Sequence, residues 1–357
     1  MEQKATNRIF DAGLLGIAGA GGALLYGLMS LTGLFAPGET LSAANTGKSA
    51  PAVVAAGPRV EHLLGPATND YEPARVVREG HATLQIAPVS LLRRYYDSIG
   101  FDLSRVRDHG RVPRLILAAL PRDIQSVEQP RLRKMLFMQT TLPMILHVNE
   151  KIMADRKRVM SLRGKAEEGG VLSPAEKRWL TDLSVEYGAG GENPDPQNPD
   201  FASLLKRVDI LPPSLALAQS AEESGWGTSR FAREGNALFG QRTWRGPKGM
   251  IPKKRAAGEK YRVRSFDTLL EGVWAYAYNL NTHFAYAKFR ERRARLRAAG
   301  NTLTGDRLID TLDRYSERGQ DYIRTIRTIM RVNALSQFDG ARLSHPPVLP
   351  PEPSSGA

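Results

Sequence analysis

No cysteine occurs in the 357 residues. Its absence excludes disulfides, thiolate nucleophiles and cysteine-based metal sites, and is compatible with any compartment. Histidine is scarce too. Its six copies, at 62, 81, 109, 147, 283 and 345, stand apart, with no pair at metal-ligand spacing. The sequence therefore argues against a metalloenzyme and implies no cofactor. Acidic residues are outnumbered: 37 Asp and Glu against 50 Lys and Arg leave a net charge of +13. Such a balance suits a polyanionic partner, anionic lipid or an acidic wall polymer, or simply a soluble basic surface. The basic residues are spread along the chain without a nucleic-acid motif, so nucleic acid is not an expected partner. Hydrophobic residues at 41% and charged residues at 24% are enough for a real core.

An uncharged run from Ala12 to Gly38 includes AGLLGIAGAGGALLYGLMSLTGLFA. At 1.5 Å per residue it can cross a hydrocarbon core of about 30 Å. It exceeds the h-region of a cleaved leader, about 7–15 residues. The reading is an uncleaved signal anchor, an N-terminal transmembrane helix within residues 1–38. Lys4 and Arg8 ahead of it favour an internal N-terminus and an exported body. The alternative is a leader cleaved near Ser42-Ala43-Ala44.

The expected organisation is a flexible linker over 39–84, a helical accessory region over 85–187, a catalytic unit over 200–335 and a disordered Pro-rich tail over 336–357. Leu132, Met135, Leu136, Leu142, Ile145, Leu146, Ile152 and Met153 predict one long amphipathic helix, bent at Pro143. Ser173-Pro-Ala-Glu176 and Thr268-x-x-Glu271 are capping boxes that open two more. Phe266, Leu269, Leu270, Val273, Trp274, Ala277 and Leu280 form an apolar stripe, read as core.

The chemistry concentrates after Pro212-Pro213, which start a helix that runs through Glu223 and stops at Gly225. Adjacent glutamates cannot share a face. Glu222 falls under Leu215 and Ala218, whereas Glu223 stacks on Gln219, on the more polar side. A carboxyl at a helix C-terminus meets the negative end of the dipole. Shielding by Trp226 and Phe239 would raise its pKa further. A carboxylic acid still protonated near neutrality is what protonates a glycosidic leaving oxygen. By residue type alone, both glutamates also fit as solvated helix-end carboxylates.

The string Gln219-Ser-Ala-Glu-Glu-Ser-Gly-Trp-Gly227, followed by Asn236-Ala-Leu-Phe-Gly240, resembles the glucosaminidase domain of glycoside hydrolase family 73. Within that family it is most similar to the bacterial Bax-type proteins, which add a helical N-terminal extension like that at 121–152. The resemblance implies a mainly α (α+β), lysozyme-like fold with a small β-hairpin lobe. It implies an endo-beta-N-acetylglucosaminidase that cuts β-1,4 bonds of peptidoglycan glycan strands, with Glu223 as catalytic acid. It places Asn236, Phe239 and Gly240 on the floor of the cleft. Tyr322, and less directly Tyr315, sit near the sugar, and Gln219 joins the substrate-binding set. Trp226 is either core or a sugar contact.

A second carboxylate, where the family has one, lies on the hairpin lobe. Glu259 is the only acidic residue between Gly235 and Ser265. It stands at the mouth of a strand expected over 260–266, either as general base or as a turn carboxylate among Lys and Arg. Lytic transglycosylase chemistry on the same fold stays open. So does a non-catalytic scaffold with an inner-membrane protein partner. The implied location is the bacterial inner membrane, single-pass, with the catalytic unit in the periplasm.

Overall fold

A computed structural model of the chain describes residues 82–84, 88–191, 194–244, 249–253, 255 and 258–344. The expected anchor over 1–38 lies outside them, as do most of the expected linker and the Pro-rich end. Among the described residues no helix is long and apolar enough to cross a membrane.

The fold is mainly helical. β1 (Ala82–Leu84), α1 (Val89–Ser98), α2 (Leu103–His109), β2 (Arg111–Val112) and β3 (Leu115–Leu117) lead into the long α3 (Pro130–Glu167). α4 (Pro174–Tyr187), α5 (Phe201–Arg207), α6 (Pro213–Ser224) and α7 (Arg230–Gly235) follow. β4 (Arg242–Thr243) and β5 (Arg262–Val263) then precede α8 (Leu269–Thr282), α9 (Ala287–Ala298), α10 (Gly305–Leu308) and α11 (Gln320–Val332). β6 (Arg342–Leu343) is the last described element.

Both ends of the described body depart from the sequence expectation. β1, inside the stretch read as linker, pairs in parallel with β3, Ala82 opposite Leu115. Residues 336–344, read as tail, are folded. Phe338 is buried under the Arg107 guanidinium, and β6 pairs in parallel with β2, Arg111 opposite Arg342. The strand expected over 260–266 shrinks to β5. With β4, β5 makes a small antiparallel lobe, Arg242 opposite Val263, extended by a Met250–Val263 bridge.

α3 is the largest difference. It runs 38 residues without stopping at Pro143. From Leu136 to Asn149 every side chain is buried, whichever way it points. α5, α6, α8 and β3 all lie against this helix, so it has no solvent face and no amphipathic stripe there. The capping boxes behave more locally. Ser173 and Glu176 exchange both bonds. Thr268 accepts from the Glu271 N–H, but Glu271 reaches back one residue further, to the Asp267 N–H.

A buried ion cluster ties α3 to the rest. Asp209, just past α5, is 1% exposed. Arg297 bonds both its oxygens at 2.8 and 3.1 Å, while Arg156 of α3 and the fully buried Arg293 approach to 3.7 and 3.9 Å. Burial pushes this carboxyl upward, but the three guanidiniums hold it below its ordinary value, Arg293 most strongly. Three cations face one anion, and the surplus is met by carbonyls. Arg293 donates to Lys206, Arg207, Asp209 and Ile210, at the negative end of α5.

Candidate active site

α6 is closed at its start by a residue far along the chain and at its end by the turn that follows it. At its start, Pro213 has no N–H to offer, and the Ser214 N–H is capped from far along the chain by Asp339 at 2.8 Å. The other Asp339 oxygen takes the Ser214 hydroxyl at 2.8 Å and the Gly305 N–H at 3.4 Å. Burial, partly offset by these donors, pushes Asp339 up to about 6. Residues 213–221 are buried on every side, between α3, α10, α11 and the turn at 335–338. Each fully buried leucine there contributes about 2 kcal/mol.

The C-terminal end explains the motif residue by residue. Gly225 and Trp226 both take left-handed backbone, φ 58° and 57°. The Trp226 N–H closes back onto the Ala221 carbonyl at 2.9 Å. Ser224 stitches the turn, donating to Ser220 and accepting from the Gly227 N–H at 2.9 Å. A Cβ at Gly227 would stand 2.9 Å from Leu120 and 3.1 Å from Phe137, so only glycine lets the turn settle on the accessory region. Trp226 makes an edge contact with Phe137 at 5.8 Å, with Lys134 over its ring. It acts as a prop.

The two glutamates fare differently, and not as a helical wheel suggests. Glu222, assigned to the apolar side, pairs with Arg318 at 2.6 Å and is only half-buried. Glu223 sits in a recess walled by tyrosines and glycine. Part of it remains open to solvent, but its Oε1 is buried without a hydrogen-bond partner. Burial pushes its pKa up to about 7; hydrogen bonding by Tyr322 and the charge of Arg318 pull the other way, and Glu222 adds to the rise. A helix has no polar side when its whole girth is covered. Only the last turn of α6 escapes, and there both carboxyls emerge.

Beneath Glu223 lies an aromatic floor. Phe239 stacks flat on Tyr276 at 3.8 Å, and Tyr315 stacks on Tyr322 at 5.5 Å. Tyr276 and Tyr286 approach Tyr315 at 6.4 and 6.0 Å. Burial and then the neighbouring Glu223 charge raise Tyr315 and Tyr322 well above 10. Tyr276 and Tyr286, also raised chiefly by burial, feel that charge too. Gln219, fully buried, donates to the Tyr322 hydroxyl at 2.9 Å and accepts from Tyr276 at 2.7 Å. Gly240, φ 58°, completes the recess. A Cβ there would stand 3.3 Å from Glu223 Oε2 and crowd the space before the carboxyl.

Gln219, Glu223, Phe239, Gly240, Tyr315 and Tyr322 thus come together. Asn236 works from behind the loop. It ends α7 with φ 52°, and its amide donates to the Phe266 and Asp267 carbonyls at 3.1 Å each. Glu259 is exposed in the loop before β5, and it is not among the groups that act on Glu223. Sequence reasoning missed Tyr276, which extends the α8 stripe from Leu269 and Val273 and so reads as core. It also missed the rim. Arg242 on β4 covers the Tyr261 ring at 4.1 Å and reaches Glu317 at 3.9 Å, next to Arg318. Trp244, 45% exposed, stands beside Tyr261 on that lobe.

Residues 198–335, which contain this recess, match the family described as mannosyl-glycoprotein endo-beta-N-acetylglucosaminidase. Protein bax of Escherichia coli (strain K12) is 36% identical over 208 residues, covering 57% of this chain and 71% of that protein. The chain belongs to the Bax-type glucosaminidase-domain family. No solved structure gives a significant match. In this Bax-type chain the matched domain does not stand alone. α3 lies wholly before residue 198, yet it packs on α6 and α8, and Phe137 meets the turn that ends the Glu223 helix.

Proposed function

We propose that this chain hydrolyses the β-1,4 bond on the reducing side of N-acetylglucosamine in peptidoglycan, with Glu223 as general acid. A glycan strand lies along the recess, between the β4–β5 lobe and the 315–322 segment. The Glu223 carboxyl gives its proton to the glycosidic oxygen as the bond from that oxygen to the anomeric carbon breaks. Positive charge grows on the N-acetylglucosamine ring that keeps this carbon, to be met by water. The observation that carries this reading is a recessed carboxyl with a pKa pushed up to about 7, beside a second glutamate that Arg318 keeps paired. A group that titrates near neutrality is protonated often enough to act and gives up its proton readily.

For the other half of the reaction, Glu259 on the lobe is the proposed base, set apart from the acid so that a water fits between them. That spacing gives inversion. The competing route uses the substrate's own N-acetyl group, favoured by the exposed position of Glu259. Glu259→Gln separates the two: loss of about a hundredfold supports the base, and an unchanged rate supports assistance by the substrate.

The basic body and the uncharged run at 12–38 support a periplasmic enzyme held at the inner membrane by its N-terminal helix, near acidic wall polymer and anionic lipid. The test is a peptidoglycan zymogram of the full-length chain beside Glu223→Gln, with mass spectrometry of the product ends. Clearing by wild type alone, with ordinary reducing ends, supports hydrolysis. Anhydro-muramic ends would make it a lytic transglycosylase. Equal clearing by both proteins removes Glu223 from the mechanism, and no clearing by wild type leaves a wall-binding scaffold.

A further inference from the structure

The donor–acceptor pattern under Glu223 runs in one direction, from Tyr276 through Gln219 to Tyr322. The Gln219 side chain is fully buried, so its two amide atoms must find partners inside the protein. Oε1 can only accept, and it takes the Tyr276 hydroxyl proton at 2.7 Å. Nε2 can only donate, and it gives a proton to the Tyr322 oxygen at 2.9 Å. With its oxygen already accepting from Gln219, the Tyr322 hydroxyl keeps its own proton free, and Glu223, one turn on from Gln219 along α6, is the acceptor it faces.

Reversing the amide would undo this. Nε2 would then face Tyr276, whose proton would lose the Gln219 oxygen, and Oε1 would draw the Tyr322 proton away from Glu223. Tyr276 therefore fixes the amide, and the amide fixes Tyr322. We propose that Tyr276 and Gln219 are positioning residues, which act through Tyr322 to keep one hydrogen-bond donor aimed at the Glu223 carboxyl. Neither needs to touch the sugar. The proposal builds on the reading of Glu223 as the acid, but the hydrogen-bond chain exists whether or not the protein turns over.

Other groups also face this carboxyl. Glu222 lies beside it on α6, Arg318 approaches from the segment before α11, and Tyr286 and Tyr315 close the floor. None of them bonds Gln219 in the chain described, so phenylalanine at 276 or 322 leaves their charges in place. The role of a donor at Tyr322 is to stabilise the ionised form of Glu223. Losing that donor raises the proton affinity of the carboxyl.

The experiment is a ¹³C NMR titration of full-length protein labelled at the glutamate δ-carbons, with the Glu223 signal assigned by its absence in Glu223→Gln. Tyr322→Phe is expected to raise the Glu223 midpoint by about one pH unit, roughly tenfold in proton affinity. Tyr276→Phe, one residue further along the chain, is expected to raise it in the same direction. The double variant should go no higher than Tyr322→Phe alone, because both changes break the same chain. An unmoved midpoint in Tyr276→Phe, or full additivity in the double variant, overturns the proposal. Gln219→Met, close in volume but unable to donate or accept in the same way, should match Tyr276→Phe, and a wild-type midpoint there also overturns it. Turnover on peptidoglycan is measured alongside. Shifts as expected in a protein that hydrolyses nothing would retain the relay and reject the glycosidase.

Discussion

Two carboxyls on one stretch of chain, the buried Asp209 and the recessed Glu223, are treated in opposite ways. Asp209 is given three guanidiniums and a ring of carbonyl-bound arginine protons, and is held ionised. Glu223 is given tyrosines, a glycine and an unpartnered oxygen, and is pushed up to about 7. Burial raises both. What separates them is whether opposite charge is close enough to win. A paired carboxylate fixes helices in place and has no proton to give; an unpaired one adds little to the scaffold and is available for chemistry.

The comparison can be broken most severely at Glu223. Glu223→Gln should lower hydrolysis of purified peptidoglycan by about a thousandfold, the usual range for a lost general acid, while the far-UV spectrum stays unchanged. At the other carboxyl the effect moves from rate to stability. Asp209→Ala leaves Arg156, Arg293 and Arg297 crowded together without their anion. It should cost about 3–5 kcal/mol by urea denaturation, with activity per folded molecule retained.

The third test sharpens the contrast through pH. The folded-state pKa of Glu223 is raised from its ordinary value near 4.5 to about 7, so the fold prefers the protonated form. That contribution is fully present below about 4.5 and is lost as pH rises through about 7. Glu223→Gln cannot ionise. It should therefore be more stable than wild type by about 3 kcal/mol at pH 9, with the gain fading toward pH 4. Asp209 has the opposite sign. Its lowered pKa contributes stability above the unfolded value and loses it only under acid.

Gly240→Ala is a smaller perturbation. The left-handed backbone costs about 1 kcal/mol with a Cβ, seen as a lower melting temperature. The added methyl, pressed against Glu223 Oε2, should reduce kcat more than it raises KM. Smallest of all is Arg318→Ala. The Glu222 pair is half-exposed and worth under about 1 kcal/mol in denaturation, but Glu223 loses a lowering influence and its titration midpoint should drift upward.

The acid end of α6 was legible because turn chemistry is local. Gly225 and Ser224 each have a backbone reason to be where they are, and that reason is written within five residues, whereas Gly227 also answers to the distant Leu120 and Phe137. Sidedness was not legible. Placing Glu222 on the apolar side assumes a helix with one wet face, whereas α6 is covered around its full girth until its last turn. The same assumption misjudged α3. Tyr276 was hidden for a related reason: at a core position in a core stripe, its ring predicts burial and says nothing of where the hydroxyl bonds. The Asp209 cluster draws on positions 156, 209, 293 and 297, from separate elements, and no local pattern brings these together.

Asp339 has a consequence for timing. The cap on the helix that carries Glu223 is made 125 residues after the residue it bonds, together with the strand that bonds back to residues 111–112. A nascent or truncated chain ending before residue 339 has the whole motif but no lock on the helix that presents it. The order of assembly therefore sets when Glu223 is held: only after residue 339 has folded back onto Ser214.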